Sequence, residues 1–315
     1  MAKEILEKKK KKGKLARLFG FLFIISGLLA ASYPFFTQYL YRFKALDDVS
    51  SFKKHISDFD SEEIKRRVLL ARAYNDVLQA KNPDPKDPYV KEIRETAVQE
   101  YARMLEVKEK IGVLKIPKLG EELPVFAGTD ESILQKGVGH MEGTSLPVGG
   151  MGTNAVLTAH TGLPTARLFT DIDNLEVGDR FYYQNIKETL AYQVVGKEVV
   201  LPNEHEPLKI HPDKDMMTLL TCTPYMVNSH RLLVHAERVD YLEQVERKDI
   251  EDAQNHRAHQ RKLWIAMGIL AVLILIFIRN NRKIHKLERA ILALKEERAG
   301  EKKESEDESL EETKK

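Results

Sequence analysis

The stretch TLLTCTPYMVNSHRLLVHAERV, residues 218 to 239, contains two apolar runs with the composition of β-strands, separated by a loop that contains proline and asparagine. The only cysteine of the chain, Cys222, lies near the end of the first run, and Arg231 lies at the start of the second. The sequence therefore raises two questions: which fold surrounds this stretch, and what a lone thiol does within it.

Short runs of the same kind fill residues 111 to 240. They are rich in β-branched and aromatic residues and are separated by glycine, proline, asparagine and aspartate, which is typical of an all-β domain. We therefore predict a mainly β fold, a closed or nearly closed barrel of about eight strands. The runs are IGVLKIPKLG, ELPVFAGT, TNAVLTAH, DRFYYQNIKETLAYQVVGKEVV, MMTLLTC and RLLVHAERV.

Residues 40 to 110 have the pattern of a helical region. Apolar residues at helical spacing after Asp60 predict a helix over 61–80, and a second helical pattern runs to about Val107. Between them the segment KNPDPKDPYV contains three prolines, which prevent a continuous helix. This segment predicts a stiff loop at 82–90.

An apolar run without a charged residue extends from Leu18 to Phe36 and follows a basic N-terminus, residues 1–17. It is long enough to cross the roughly 30 Å hydrocarbon core of a bilayer, which predicts a transmembrane helix over 18–39. A cleaved signal peptide is the alternative, because small residues precede Tyr33. Both interpretations place the residues that follow outside the cell.

A second apolar run, Leu263 to Ile278, lies between arginine and lysine residues and predicts a second transmembrane helix; a buried core helix is the alternative. Residues 241–262 would form a juxtamembrane linker. Residues 279–315 would form a short cytoplasmic amphipathic helix and a charged, disordered tail. By the positive-inside rule both termini lie in the cytoplasm and residues 40 to 258 lie outside.

Composition limits the partners of the chain. With 50 basic and 48 acidic residues the net charge is +2, which gives no indication of a nucleic-acid partner, whereas the apolar runs indicate a lipid bilayer. One cysteine can form neither an internal disulfide nor a thiolate zinc cluster, and the acidic residues near the barrel are too scattered for a calcium loop. We therefore predict no metal site and no cofactor.

Cys222 is either a small buried hydrophobe or a reactive group, and the residues alone leave both interpretations open. A reactive thiol needs a base or a cation that holds it as thiolate. Among the histidines His160 is the leading candidate, because it ends the run NAVLTAH beside a loop, where active-site groups are common. His140 is its nearest competitor. Arg231 on its own is more typical of a surface cation on a strand.

Three segments together resemble the sortase family. TLLTC resembles the signature that ends in the sortase cysteine, TPYMVNSHR the stretch that leads to the sortase arginine, and LTAHTG the segment with the sortase histidine. Apolar runs at both ends and an Asp-Pro-aromatic motif, here Asp87, Pro88 and Tyr89, resemble the class C, pilin-polymerising sortases. The resemblance covers most of residues 110 to 240. Met226, where many members have glycine, is a departure that bears on the shape of its loop.

The resemblance implies a cysteine transpeptidase that cuts a Leu-Pro-x-Thr-Gly-like sorting signal between Thr and Gly. In that mechanism Cys222 attacks the threonine carbonyl, and His160 as imidazolium stabilises the thiolate and then protonates the leaving amine. Arg231 would hydrogen-bond the oxyanion or the substrate backbone. Thr221 is a further candidate for substrate binding.

The resemblance also implies the partners, which are pilin or surface-protein substrates with a C-terminal sorting signal. For a class C enzyme the acceptor is a pilin lysine. Three alternatives stay open: a sortase that anchors proteins to a cell-wall precursor, a cysteine peptidase that releases a free acid, and a membrane-tethered barrel that only binds a partner. The last alternative requires that Cys222 be inert.

The Asp-Pro-Tyr motif is implied to form a lid over the thiol. Asp87 would pair with Arg231. Tyr89 would cover the sulfur of Cys222, and Pro88 would fix the distance between the acid and the ring. A plain surface turn is the alternative, since Asp-Pro commonly opens turns.

Overall fold

The computed structural model describes residues 2–81 and 104–279, without residues 260, 264, 271 and 275, and describes side chains from residue 19 onward. The predicted lid loop at 82–90 lies outside the described residues. So does the predicted C-terminal tail, except for its first residue, Arg279.

The chain divides into two compact units, residues 1–253 and 254–315, and the first contains the barrel. It begins with one long helix, α1, Ala2–Ile56. The sequence predicts a membrane helix over 18–39, and α1 continues past that range to its end at Ile56. The predicted membrane segment and the residues that follow it are therefore one helix.

Helix α2, Ser61–Lys81, agrees with the helix predicted after Asp60. It begins where the Asp60 carboxylate accepts a hydrogen bond from the main-chain N–H of Glu63 at 2.7 Å, which satisfies a donor that the first helical turn leaves open. The next predicted helix is described only over residues 104–105. The prediction that it runs to about Val107 is wrong, because Val107 forms a β-bridge where the chain turns into the barrel.

Eight strands close into a barrel, which confirms the predicted fold class. The strands are β1 Lys110–Ile116, β2 Glu121–Ala127, β3 Val138–His140, β4 Thr153–Thr158, β5 Arg180–Gln184, β6 Thr189–Val200, β7 Asp215–Thr223 and β8 His230–Val239. They neighbour one another in the order β1-β2-β3-β4-β7-β8-β6-β5, and β5 pairs back with β1. Only β2 with β3 and β4 with β7 are parallel pairs.

The runs identified in the sequence account for every strand except β3. This strand has three residues and contains Gly139, so no alternating pattern marks it. A Cβ atom at Gly139 would lie 2.4 Å from the carbonyl oxygen of Gly128, so close packing requires glycine there. A short helix, α3, Glu131–Leu134, connects β2 to β3.

Inward-facing apolar side chains fill the barrel, and side chains from the preceding helices belong to the same core. Val49 and Phe52 of α1 are buried in it, as are Val68 and Ala71 of α2. Burial at about 25 cal/mol per Å² of apolar surface favours keeping these helices on the barrel. The helices and the barrel thus form one folding unit.

A second, smaller apolar cluster lies on the other face of β4, β7 and β8. Because successive side chains of a strand alternate between faces, Met217 and Leu219 of β7 contribute to the main core, whereas Leu220 contributes to this cluster. The segment between β6 and β7 covers it through a buried leucine. The members are Met141, Val156, Val200, Leu208, Leu220 and Leu233.

Two helices are long and apolar enough to cross a membrane: Phe19–Ile56, which is part of α1, and α4, Glu243–Arg279. Helix α4 begins inside the predicted linker at 241–262. Its first turns contact the barrel, because Glu246 accepts a hydrogen bond from Lys115 at 2.6 Å. The predicted linker is therefore largely helical where the structure describes it.

Candidate active site

Two of the residues singled out in the sequence face each other across β7 and β8. Cys222 on β7 pairs directly with Arg231 on the antiparallel strand β8. Residues opposite each other in such a pair project to the same face, with Cα atoms about 4.5–5.5 Å apart. The thiol and the guanidinium therefore leave the sheet side by side, and both residues are buried.

His160 lies on the other side of Cys222. Strand β4 runs parallel to β7 with Thr158 opposite Leu220, and the main-chain N–H of Ala159 continues the pairing by donating to the Leu220 carbonyl at 3.3 Å. Thr158 and Leu220 are the last pair of this register. Continuing it by two residues places His160 beside Cys222. The cysteine is thus the central member of a set that has histidine on one side and arginine on the other.

A carboxylate that the sequence does not reveal lies beside the histidine. Oε1 of Glu131, the first residue of α3, is 3.3 Å from Nε2 of His160. The Glu131 side chain is 60% exposed, so water weakens its attraction for an imidazolium. Glu131 lies far from His160 along the chain, and only the path of α3 across the barrel end brings the two together.

Main-chain carbonyls orient the guanidinium of Arg231. Its Nη1 donates to the carbonyl oxygens of Asn228 and His230, each at 3.2 Å. Asn228 belongs to the loop between β7 and β8, so the loop conformation sets the direction of the fork. A planar, permanently charged fork next to a thiol can stabilise a thiolate or a developing oxyanion.

The hydroxyl of Thr221 holds the start of the loop that carries His160. It donates to the carbonyl oxygen of Ala159 at 2.7 Å and shares a hydrogen bond with the Thr161 hydroxyl at 2.6 Å. The main-chain N–H of Phe169 donates to the His160 carbonyl at 3.2 Å. These bonds give Thr221 a positioning role. That Thr221 also binds substrate stays a prediction.

The loop between β7 and β8 is tight around Met226. The main-chain N–H groups of Val227 and Asn228 both donate to the Pro224 carbonyl at 3.0 Å. Met226 has a φ of +64°, in the left-handed region that favours glycine, and a side chain there costs about 1 kcal/mol. Met226, which stands where many sortases have glycine, therefore lies at a position whose backbone conformation favours glycine.

A small, shallow groove with a volume of about 10 Å³ lies beside Arg231 on the outer face of β7 and β8. Its far wall is the segment between β6 and β7, and its floor is the small apolar cluster. The lining residues are Val200, Leu201, Pro202, Glu204, His205, Leu208, Leu220, Arg231 and Leu233.

His140, the competitor for the role of base, lies in the short strand β3. It is buried, and its Nε2 donates to the Ser145 carbonyl at 2.8 Å. Burial lowers the pKa of His140, which favours the neutral ring. Its hydrogen bond fits a structural role between β3 and β4.

His235, on the outer face of β8, contacts Glu198 at 2.9 Å and the Thr218 hydroxyl at 3.0 Å. Burial lowers its pKa, against the opposing effect of Glu198.

Within the part of the chain that the structure describes, no cluster of three or more His, Cys, Asp or Glu residues could hold a metal ion. The lid residues Asp87, Pro88 and Tyr89 lie outside the described residues.

A buried thiol on a central strand, with a histidine on one side and an arginine on the other, is an arrangement that suits a cysteine nucleophile for acyl transfer. Comparison with known proteins agrees with this class. The model of the sortase domain family matches residues 114–239. The chain is 28% identical over 218 residues to sortase A of Bacillus anthracis, a match that covers 69% of this chain and 91% of that protein.

The sequence identity to several solved structures is higher. Sortase C1 of GBS pilus island 1 is 51% identical, with a TM-score of 0.59, and the match covers 63% of this chain and 94% of that one. Sortase C-1 of Streptococcus pneumoniae is 50% identical, with a TM-score of 0.59, and covers 62% of this chain and 100% of that one. The chain belongs to the sortase family, whose members are cysteine transpeptidases, and its structural neighbours are class C sortases.

Proposed function

We propose that this sortase polymerises pilins. The observation that carries the proposal is the strand register that places Cys222 between His160 and Arg231. Over the 63% of this chain that the match covers, 51% of the residues are identical to those of a sortase described as belonging to a pilus island. The substrates are then pilin or surface proteins with a Leu-Pro-x-Thr-Gly-like sorting signal.

In the first half-reaction the Cys222 thiolate attacks the carbonyl carbon of the substrate threonine. The tetrahedral oxyanion accepts hydrogen bonds from Arg231. As the bond between Thr and Gly breaks, His160 as imidazolium gives its proton to the departing glycine amine. The products are a thioester on Cys222, a free glycine amine and neutral His160.

In the second half-reaction a pilin lysine amine attacks the thioester carbonyl. Neutral His160 accepts the proton that the amine loses, and Cys222 leaves as thiolate. An isopeptide bond between threonine and lysine has formed, and the enzyme returns to its starting ion pair. The buried position of the thiol favours an amine over water as the acceptor, because it limits access by solvent.

The residues of the sorting signal that precede the cut bond would lie over the outer face of β7 and β8, beside Arg231. Thr221 is retained as a candidate for contact with the substrate.

For the topology we propose two membrane crossings with both termini in the cytoplasm and the barrel outside. The lysine-rich N-terminus and the basic residues after Ile278 favour this orientation by the positive-inside rule. Protease added to intact protoplasts should remove the barrel and spare the tail. Loss of the tail under these conditions would refute the orientation.

The decisive experiment incubates the full-length chain in proteoliposomes with candidate pilins and searches the products by mass spectrometry for threonine-to-lysine isopeptide links. We expect such links with the native chain and none with Cys222→Ala. Cys222→Ala at near-native activity would end the proposal.

Two other outcomes of this experiment would indicate a different function. Free-acid product that hydroxylamine does not divert would indicate a peptidase. Transfer to a cell-wall precursor amine, with no transfer to pilin lysine, would indicate an anchoring sortase.

A further inference from the structure

The loop between β7 and β8 presents three consecutive apolar side chains at the surface. Tyr225, Met226 and Val227 are 60%, 69% and 68% exposed. Single exposed apolar residues are common, but three in a row at the tip of one loop form a patch that usually has a partner. We call these three residues the apolar tip.

The backbone holds the apolar tip in a defined shape. Two hydrogen bonds to the Pro224 carbonyl close the turn, and Met226 occupies the left-handed conformation in which glycine would be relaxed. A large apolar side chain is thus displayed at a position where the backbone disfavours any side chain. A strained residue that projects into solvent calls for a functional explanation.

The apolar tip lies next to the loop that carries His160. A Cβ atom at Gly162 would be 3.2 Å from the Tyr225 ring and 3.4 Å from the Met226 sulfur. Two residues further on, the Pro164 carbonyl oxygen lies 3.3 Å from the hydroxyl of Thr37 on α1. The apolar tip and this turn of α1 are therefore separated only by the short segment 162–164.

This turn of α1 is where the charge-free apolar run ends. Thr37 follows Phe36, the last residue of that run. Around it Tyr33, Phe36 and Tyr39 are exposed, and aromatic side chains, tyrosine above all, concentrate where a membrane helix meets the headgroups. If α1 crosses the bilayer, the segment 162–164 lies at the level of the interface.

The barrel is fixed to α1 just beyond this level. The Tyr41 hydroxyl donates to the Lys136 carbonyl at 3.1 Å, and Arg42 Nη2 donates to the Gly120 carbonyl at 2.6 Å. With Val49 and Phe52 of the same helix buried in the core, the barrel cannot swing freely about α1. The height of the apolar tip above the bilayer is therefore set by the fold.

We propose that the apolar tip inserts into the lipid interface beside α1, so that the catalytic end of the barrel faces the membrane. The occupant is the bilayer, because the patch continues the exposed apolar surface of the membrane helix at the same level. Tyrosine, with an apolar ring and a polar hydroxyl, suits this depth. The proposal rests on the topology given under Proposed function. Since Cys222 lies three residues before Tyr225, the thiol works next to the headgroups.

The test measures lipid contact directly and uses the full-length chain. In a Cys222→Ser background, Met226→Cys provides one labelling site for an environment-sensitive fluorophore. The protein is reconstituted into phosphatidylcholine vesicles, with or without a nitroxide near the headgroup end of the acyl chains. We expect blue-shifted emission at position 226 and loss of most of that emission in nitroxide vesicles.

Met151→Cys in the same background is the matched control. Met151 is 67% exposed, close to the value for Met226. Its neighbour Gly152 bonds to Lys214, just before β7 begins, whereas Met226 follows the end of β7. A strand of nine residues separates the two positions by about 30 Å. Emission at position 151 should be that of a label in water and should not be quenched.

Water-like emission at position 226, quenched no more than at position 151, would overturn the proposal. So would a blue shift at 226 without nitroxide quenching, because protein would then cover the apolar tip. The catalytic thiol is absent from both variants, so this result is independent of transpeptidase activity. Failure of the proposed function would leave the quenching pattern unchanged, and failure of lipid contact would leave the activity assay unaffected.

Discussion

Thr221→Val tests whether the hydroxyl of Thr221 positions the catalytic histidine. Valine keeps the shape of the side chain and removes only the oxygen that bonds to the Ala159 carbonyl and the Thr161 hydroxyl. Thr221 is buried on the inner face of β7, so water cannot easily replace that oxygen. The change therefore removes one hydrogen bond from the Ala159 carbonyl, one residue before His160.

The expected magnitudes follow from that geometry. A buried polar group that loses its partner costs about 1–3 kcal/mol of folding free energy. For a domain of this size each kcal/mol lowers Tm by about 2–4 °C. The larger effect should be on catalysis, because a displacement of about 1 Å in a catalytic group can cost about 10²-fold in rate. We expect kcat to fall by roughly that factor with KM little changed, since the hydroxyl points away from the groove.

The assay is steady-state cleavage of a sorting-signal peptide, with Tm measured on the same samples. Thr218→Val is the matched control, because the Thr218 hydroxyl is also buried and bonded, to Asn154 at 2.9 Å, but does not touch the loop of His160. It should lose similar stability and keep kcat. Thr221→Ser, which retains the oxygen, should recover most of the activity. A raised KM with unchanged kcat in Thr221→Val would refute the positioning role and favour direct substrate binding.

Three further predictions concern the arginine, the lid and the attachment of α4. Arg231→Lys keeps the charge but loses the planar fork, so kcat/KM should fall by about 10²-fold or more; activity within a few-fold of native would exclude an oxyanion role. Asp87→Ala combined with Tyr89→Ala should speed thiol labelling a few-fold, about 1 kcal/mol in the lid equilibrium, and an unchanged rate would show that this loop is no lid. Lys115→Met leaves the buried Glu246 of α4 without its cation and should lower the free energy of unfolding, measured by urea denaturation, by about 2 kcal/mol. Lys53→Met, at a more exposed ion pair, should lower it by at most about 1 kcal/mol, and equal losses would contradict the burial argument.

The barrel could be predicted because its strands carry their own signals. Runs such as MMTLLTC and RLLVHAERV are apolar, rich in β-formers and bounded by turn residues, so strand number and closure follow. Strand β3 could not be predicted, because it is three residues long and its Gly139 is selected by a close approach to Gly128. The length of α1 could not be predicted either, because Pro34 near the end of the apolar run would suggest a break, whereas the helix continues through it to Ile56.

Motif resemblance singles out Cys222, His160 and Arg231 as the catalytic set, which stays a prediction, and their geometry could not be predicted from the sequence. Cys222 and Arg231 are near in sequence, but their direct pairing depends on the register of β7 with β8. His160 is level with the cysteine only because β4 lies parallel to β7. Glu131 has no sequence signal at all, because its proximity to His160 arises from the path of the chain after β2.

The loop that carries His160 is held from two directions, which links the membrane helix to the chemistry. On one side Thr221 of β7 bonds to the Ala159 carbonyl, and on the other Thr37 of α1 contacts the Pro164 carbonyl. The first contact sets the histidine relative to the cysteine, and the second sets the same loop relative to the end of the apolar run. Because both act on one short segment, α1, a candidate membrane span, is also a structural part of the proposed active site.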